Sequence, residues 1–362
     1  MVSAAAFTRR AAASTLIAGA AAGVLVTVRR AGPPPAGGQP RGTSGSATRR
    51  SSPAGAGSPT PAEAPPSVVA PPSAGAAAGT RPAHGGPPDP PSATPGLAQL
   101  PRGGRVVFPG YRLVGFSGGP GSAAFGRLGV GSLDRRVLEI EQLARRYAAD
   151  RDPQPVLELI AVVAQPWPGQ DGRYRVRIGA DVIDDYLAAA RRHRALLLLN
   201  VQPGRARFLD EVKALGRWLS EPEVGLALDP EWAVRLGQVP GRVFGRTTGA
   251  EIDAVAGYLE SVVSAGALPE KVLVVHQLRP DIVQDFATLR PHPGVVVVRS
   301  VDGIGPPREK INTWTRILAD RVAGIHPGFK LFFEEDSAHG SRLMTPAEVL
   351  GLRPVPEYIL YE

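Results

Sequence analysis

From Gly104 onward, short apolar runs alternate with segments whose apolar residues recur at helical spacing. This alternation is typical of β/α units arranged around a parallel sheet. Most of the runs are almost continuously apolar, as expected for strands that are covered on both faces. The eight predicted strands are Arg105–Phe108, Val156–Val163, Ala195–Val201, Val224–Asp229, Lys271–Gln277, Gly294–Val301, Gly328–Glu334 and Glu357–Tyr361.

Seven helices are predicted between these strands, and two of them have clear start signals. Thr248 precedes Glu251 by three residues, which is the spacing of a capping box. Thr345 is followed by proline at the first helical position and by glutamate at the third. The seven predicted helices are Leu133–Ala149, Ala180–His193, Phe208–Leu219, Glu251–Ser264, Pro280–Leu289, Arg308–Val322 and one that begins after Thr345.

Eight strands and seven helices within residues 104–362 fit a (β/α)₈ barrel of the TIM type, for which about 250 residues are typical. The predicted barrel lacks its last helix, because Glu362 follows directly after the eighth strand. Either another segment covers the seam between the eighth and first strands, or the sheet is open and doubly wound. We favour the barrel.

The first hundred residues have a different composition. Of the 38 prolines, 18 lie before Gly103, in a stretch that also has many alanine, glycine and serine residues. Such a segment buries too little apolar surface to offset its ordering entropy, so residues 31–103 are predicted to be a disordered linker.

Residues 1–30 are predicted to be an export signal or a membrane anchor. The pair Arg9-Arg10 precedes the apolar run Ala11–Val28, as in a twin-arginine-type signal. The run would span ~27 Å as a helix, at the short end for a bilayer, so residues 11–28 are either cleaved or kept as a membrane tether. The protein is therefore expected to be exported, either secreted or anchored at the cell surface.

The net charge of +8 is located in the tail and not in the predicted barrel. Nine of the 41 basic residues but only two of the 33 acidic residues precede Gly104, so the tail carries +7 and the barrel +1. A nearly neutral domain gives no electrostatic indication of nucleic-acid binding. The chain has no cysteine, which excludes thiolate chemistry.

Candidate catalytic residues follow the fourth strand. Active sites of β/α barrels lie at the carboxyl ends of the strands, where residues two apart share a face. Asp229 and Glu231 are such a pair, on the face of Ala227. Two neighbouring carboxylates repel each other, so one is expected to stay protonated, as a general acid requires. We expect both to be open to solvent.

Other polar and aromatic residues follow the remaining strands. Lys330, within a strand, requires an anionic partner, for which Asp302, Glu334 and Asp336 are candidates. Aromatic side chains in strand-end loops can stack on sugar rings, and the long loop Ala233–Thr247 follows one of them. The predicted substrate-binding residues are Asn200, Gln202, His276, Asp302, Lys330, Asp336, Trp167, Trp232 and Tyr111.

Each of these residues also has a purely structural interpretation. Asp229 before Pro230 could cap a turn, and Lys330 with Asp336 could be a structural ion pair. His276 could be a hydrogen-bonded core histidine, and the aromatic residues could pack beneath loops.

The tripeptide Asp229-Pro230-Glu231 at the end of a barrel strand resembles the Asp-x-Glu motif of several glycoside hydrolase families, including chitinase-like barrels and wall-lytic lysozymes. The resemblance implies that Glu231 is the general acid and that Asp229 supports it. The Asp-rich run that chitinase-like enzymes carry upstream is absent, since Val224-Gly-Leu-Ala-Leu precedes Asp229. The domain also resembles exported proteins of high-GC bacteria, a likeness that implies no activity.

The leading hypothesis is therefore an exported glycoside hydrolase-like barrel that acts on a cell-wall or environmental polysaccharide without metal or cofactor. The first alternative is a non-catalytic surface protein that binds glycan. The second is metal-assisted hydrolysis of a phosphodiester or ester, with oxygen ligands from residues such as Asp229 and Asp302. The sequence Gly115-Phe-Ser117-Gly-Gly119 matches G-x-S-x-G, but Pro120-Gly121 follows it where a serine hydrolase begins a helix.

Overall fold

The computed structural model describes residues 96–121 and 123–362. The predicted export segment 1–30, and the predicted linker up to residue 95, lie outside the described residues. The last residues assigned to the linker belong to the packed domain, since Leu100 is buried and Arg102 donates to the carbonyl of Pro153. Within the described ranges, no helix is long and apolar enough to cross a membrane.

Eight parallel strands form a closed barrel, as the sequence predicts. Each strand pairs with its neighbours, and the eighth pairs with the seventh and with the first, which closes the sheet. The strands are β1 (Tyr111–Gly118), β2 (Asp152–Ala164), β3 (Leu196–Val201), β4 (Val224–Leu228), β5 (Lys271–Gln277), β6 (Val295–Val301), β7 (Ile325–Leu331) and β8 (Tyr358–Tyr361). A short strand, Arg175–Arg177, pairs antiparallel with the end of β2.

The predicted first strand, Arg105–Phe108, is wrong, because β1 lies further along the chain. A Cβ atom at Gly115, in the middle of β1, would lie 2.3 Å from the carbonyl oxygen of Val156. The close approach of β1 to β2 therefore requires glycine at this position. With Gly118 at its end, β1 resembles a glycine-rich loop in the sequence.

Most connections between the strands contain an α-helix. The helices are α1 (Leu133–Arg145), α2 (Ala180–His193), α3 (Phe208–Ala214, followed by the short helix Gly216–Leu219), α4 (Gly249–Gly266), α5 (Pro307–Ile317) and α6 (Pro346–Leu350). Thr345 forms the predicted capping box with Glu348, and the Thr248 side chain accepts from the amide of Glu251.

The predicted helix Pro280–Leu289 is wrong, since β5 and β6 are joined by two 3₁₀ turns, Pro280–Ile282 and Phe286–Thr288. Between these turns, Val283–Gln284 pairs in parallel with Thr247–Thr248. This tertiary pairing holds the segment extended and overrides its helical spacing.

Two apolar cores stabilise the domain. The outer core lies between the strands and the surrounding helices. The inner core fills the amino-terminal half of the barrel with side chains such as Leu113, Val156 and Leu198. The segment before β1 covers this end, since Val107 and Phe108 belong to the inner core.

Among the described residues, aromatic side chains pack over the seam next to β8. The hydroxyl of Tyr361 in β8 lies 2.6 Å from that of Tyr147, which follows α1. The Tyr361 ring also packs against Phe116 and Phe333. Aromatic side chains thus cover the outer face of β8 at this seam.

Candidate functional site

A group of buried polar side chains fills the carboxyl-terminal half of the barrel. We call this group the polar centre. Its members are Ser117, Glu158, Asn200, His276, Ser300, Asp302, Lys330 and Tyr358, and all are buried. They come from seven strands and from the residue that follows β6.

Glu158, on β2, is the hub of the polar centre. Its Oε1 accepts hydrogen bonds from Ser117 at 3.3 Å and from Asn200 Nδ2 at 3.0 Å. Its Oε2 bonds Tyr358 at 2.5 Å and His276 Nε2 at 3.1 Å. Side chains from four strands thus form hydrogen bonds with the Glu158 carboxylate, and these bonds fix its orientation.

His276 connects Glu158 to a second carboxylate, Asp302. The His276 Nδ1 atom lies 2.9 Å from Asp302 Oδ2, and Ser300 donates to Asp302 Oδ1 at 2.8 Å. Because both ring nitrogens face carboxylates, the imidazole is placed to donate on both sides as a cation.

Lys330 has two anionic neighbours. Its Nζ lies 2.7 Å from Glu362 Oε2 and 3.5 Å from Asp302 Oδ2. Asp302 is therefore one of the residues predicted as an anionic partner of Lys330 that does lie next to it. Asp336 instead pairs with Lys310 at 2.9 Å and accepts from the amides of Gly305 and Phe332, so it lies in a separate ion pair.

The polar centre is ionised despite its burial. Burial opposes charge on Glu158, but the charges of His276 and Lys330 and the bonds to His276 and Tyr358 outweigh it and lower the pKa to about 2. The pKa of Asp302 is lowered in the same way. Burial also opposes charge on His276, yet Asp302 and Glu158 raise its pKa well above its usual value.

Asp229 lies beside the polar centre, at the end of β4. It is 5 % exposed, and its Oδ2 accepts from Gln202 Nε2 at 3.1 Å. Burial raises the pKa of Tyr358, and the charges of Glu158, Asp302 and Asp229 raise it further. The structure therefore brings the predicted residues Asp229 and Gln202 close to Asn200, His276, Asp302 and Lys330.

Asp229 and Glu231 are both buried, contrary to the expectation that they are open to solvent, and Trp232 is buried as well. Glu231 lies in the 3₁₀ turn Pro230–Trp232 and is 1 % exposed. The loop 233–246 folds over this turn, since the amide of Gly245 donates to the carbonyl of Glu231 at 2.6 Å. Trp232 packs against Ala164 and Phe244 beneath the same loop. The loop therefore shields the predicted acid.

Of the other two predicted aromatic residues, Tyr111 lies at the opposite end of the barrel from the polar centre. Tyr111 begins β1, at the amino-terminal end of the barrel, and its hydroxyl donates to the carbonyl of Gly103. Its predicted position near the mouth followed from the misplaced first strand. Trp167 is half-buried in the loop after β2.

Four members of the polar centre, Ser117, Glu158, Ser300 and Tyr358, are not among the site residues predicted from the sequence. Glu158 is the only acid in the apolar run Val156–Val163. A charged side chain within a barrel strand requires a partner, so Glu158 is as strong a signal of a buried polar site as Lys330. Tyr358, Ser117 and Ser300 are uncharged and carry no comparable signal.

The side-chain amides of Asn200 and Gln165, at this end of the barrel, have polar atoms that form no hydrogen bond within the described residues. Within residues 96–121 and 123–362, Asn200 Oδ1 and both side-chain polar atoms of Gln165 are buried without a hydrogen-bond partner. Buried polar atoms are normally bonded. These atoms could therefore bond a ligand at the carboxyl ends of β2 and β3.

A cleft of about 260 Å³ opens next to the polar centre, between the loop after β1 and the ends of β7 and β8. Arg127, Phe333, Glu334 and Glu362 are among its lining residues. Because Glu362 also pairs with Lys330, the cleft adjoins the charged network.

No protein-family model and no curated protein matches the chain. In the part of the chain that the structure describes, no group of three or more His, Asp or Glu side chains is arranged to hold a metal ion.

Proposed function

We propose that the barrel is an exported, glycoside hydrolase-like domain that acts on a cell-wall or environmental polysaccharide by carboxylate acid/base chemistry. The observation that carries the proposal is the inward-facing Asp229 carboxylate, bonded by Gln202 at 3.1 Å, at the carboxyl end of a closed barrel. This end is where β/α barrels carry their active sites.

In this proposal, Glu231 protonates the leaving oxygen as the glycosidic bond breaks, and Asp229 stabilises the positive charge that develops on the sugar. A water molecule then adds to the sugar and gives a proton back to Glu231. Beside these two acids, Glu158 and Asp302 are both bonded to His276, which fixes the geometry of the polar side chains next to Asp229. The spare acceptor Asn200 Oδ1 and the Gln165 amide would bond sugar hydroxyls. Because loop 233–246 covers Glu231, a polymer can reach the acid only after this loop moves.

The test is release of reducing ends from a panel of wall and environmental polysaccharides by the purified protein. We expect Glu231→Gln to reduce the rate by roughly 10²- to 10⁴-fold, the usual contribution of a general acid. Glu309→Gln, an exposed glutamate on α5, is the matched control and should keep the parent rate. A Glu231→Gln protein as fast as the parent would remove the assignment.

The burial of both carboxylates favours one alternative, a non-catalytic protein that binds glycan at the same end of the barrel. Asp229 is 5 % exposed and Glu231 is 1 % exposed. In this case the protein would sediment with insoluble peptidoglycan or chitin but release no reducing ends over days. Gln165→Ala would then weaken binding, whereas Glu231→Gln would not.

Export is a proposal that rests on residues 1–30. Replacement of Arg9 and Arg10 by lysine should retain the protein inside the cell if the segment is a twin-arginine-type signal. Cell fractionation with an antibody to the barrel measures this. Unchanged export would assign the segment to another route.

A further inference from the structure

The outer face of β6 carries a buried arginine that the polar centre does not use. Side chains alternate along a strand, so Ser300 faces the polar centre while Arg299 points outward. In this part of the outer layer the β5–β6 connection supplies 3₁₀ turns in place of a helix. Arg299 lies beneath one of these turns, with its guanidinium 4.5 Å from the centre of the Phe286 ring.

Arg299 is 6 % exposed, and its bonds go to neutral acceptors. Nε donates to Gln277 Oε1 at 2.7 Å, and Nη1 donates to the carbonyl of Asp320 at 3.3 Å. In residues 96–121 and 123–362, no carboxylate forms an ion pair with it. A buried charge without an ionic partner is costly, so the position favours an anion.

Arg299 lines a cavity of about 110 Å³. Most of the wall is apolar and includes Leu318, Val322 and Ile325, while Asp320, Arg321 and His326 are its other polar residues. An apolar cavity of ~150 Å³ holds benzene, so this cavity holds a ligand of roughly four to six non-hydrogen atoms.

We propose that this cavity binds a small organic carboxylate with a short apolar tail, whose carboxylate pairs with Arg299 and whose tail packs against Leu318 and Val322. The site is independent of the proposed glycosidase activity, because it lies on the opposite face of β6. A guanidinium binds a carboxylate through two parallel hydrogen bonds, and the apolar wall selects for the tail.

Charged residues around the cavity affect how tightly it binds an anion. Arg321 adds positive charge at its edge, whereas the Asp320 carboxylate competes with a bound anion. His326 is already bonded to Glu357. Loss of the Asp320 charge should therefore tighten binding of the anion.

The experiment is calorimetric titration of the full-length protein at neutral pH with propionate and butyrate, and with propionamide as the uncharged analogue. We expect saturable binding of both carboxylates and none of the amide. Arg299→Leu should weaken binding at least about tenfold, as expected for a lost charged hydrogen bond. Asp320→Asn should tighten it roughly two- to fivefold, the effect of one partly exposed charge pair.

Arg316→Leu, an exposed arginine on α5, is the matched control and should bind like the parent. Equal binding of propionamide, unchanged binding by Arg299→Leu, or no saturable binding up to about 10 mM would overturn the proposal. If Arg299→Leu does not fold, two other measurements test the proposal. These are the comparison of propionate with propionamide and the affinity of the Asp320→Asn variant for propionate.

Discussion

The two halves of the barrel interior are built from the same strands but have opposite chemistry. In the amino-terminal half, Val156 and Leu198 are among the side chains of an apolar core. One inward-facing position further along, the same strands carry Glu158 and Asn200, which bond each other. Two residues of strand are only ~7 Å long, so the interior changes from apolar to ionised within one layer of side chains.

This difference shows how a small barrel keeps charged groups at its centre. The apolar half, together with the helices outside, provides the burial that stabilises the fold. The polar half is stable because its charges bond one another, with His276 between Glu158 and Asp302. Replacements of similar size should therefore have very different effects in the two halves.

The largest expected effect is that of Glu158→Gln. The substitution keeps the size of the side chain but leaves the His276 cation with one fewer buried carboxylate. Breaking a buried ion pair in this way typically costs about 3–5 kcal/mol in the free energy of unfolding. Urea denaturation at neutral pH measures it.

Leu198→Met is the matched change in the apolar half, for which a volume-conserving substitution costs less than about 1.5 kcal/mol. Equal losses of stability in the two variants would mean that the halves do not differ energetically.

A smaller effect is expected from Gly328→Ala, on β7 between the two halves. A Cβ atom there would lie 2.8 Å from Val298 and 3.1 Å from the ring of Tyr358. Both a core contact and the Tyr358–Glu158 bond would be strained, at about 1–3 kcal/mol.

Gly110→Ala is the control for this substitution, because its Cβ atom would approach only the carbonyl of Val107, at 3.9 Å. We expect it to change stability by no more than about 0.5 kcal/mol. A Gly328→Ala protein as stable as Gly110→Ala would show that the two halves are loosely joined.

The smallest effect is a pH dependence of the polar half. The pKa of His276 is higher in the folded protein than in the unfolded chain, where it is about 6.5. The resulting stabilisation is therefore fully present below about pH 6.5 and is lost as the pH rises through the folded pKa. The lowered pKa of Glu158 acts in the opposite direction, since its contribution is lost as pH falls from about 4.3 towards 2.

The difference in unfolding free energy between the parent and His276→Gln isolates the first of these contributions. Above pH 6.5 it should shrink by at most about 1.4 kcal/mol per pH unit. A difference that is constant with pH would show that His276 is neutral in the folded protein.

The apolar architecture was predictable because each buried strand is a continuous apolar run. The strand Lys271–Gln277 and the helix Ala180–His193 have their predicted bounds. The failures have physical causes. β1 depends on Gly115 for its contact with β2, and the predicted helix Pro280–Leu289 is held extended by pairing with Thr247–Thr248.

The candidate site was predictable where a polar residue follows a strand, as Asp229, Gln202 and Asp302 do. Its exposure was not predictable, because the covering of Glu231 depends on how the loop 233–246 folds back. The sequence also did not reveal which residues form ion pairs, since Asp336 pairs with Lys310 on α5 and not with Lys330.

The protonation state of His276 tests the central claim most directly, namely that the carboxyl end of the barrel interior is an ionised centre. Nitrogen NMR of the imidazole at pH 7, assigned through the histidine's own backbone, reports whether each ring nitrogen carries a proton. We predict protons on both nitrogens, bonded to Glu158 and Asp302. A neutral imidazole with one bare nitrogen would contradict it.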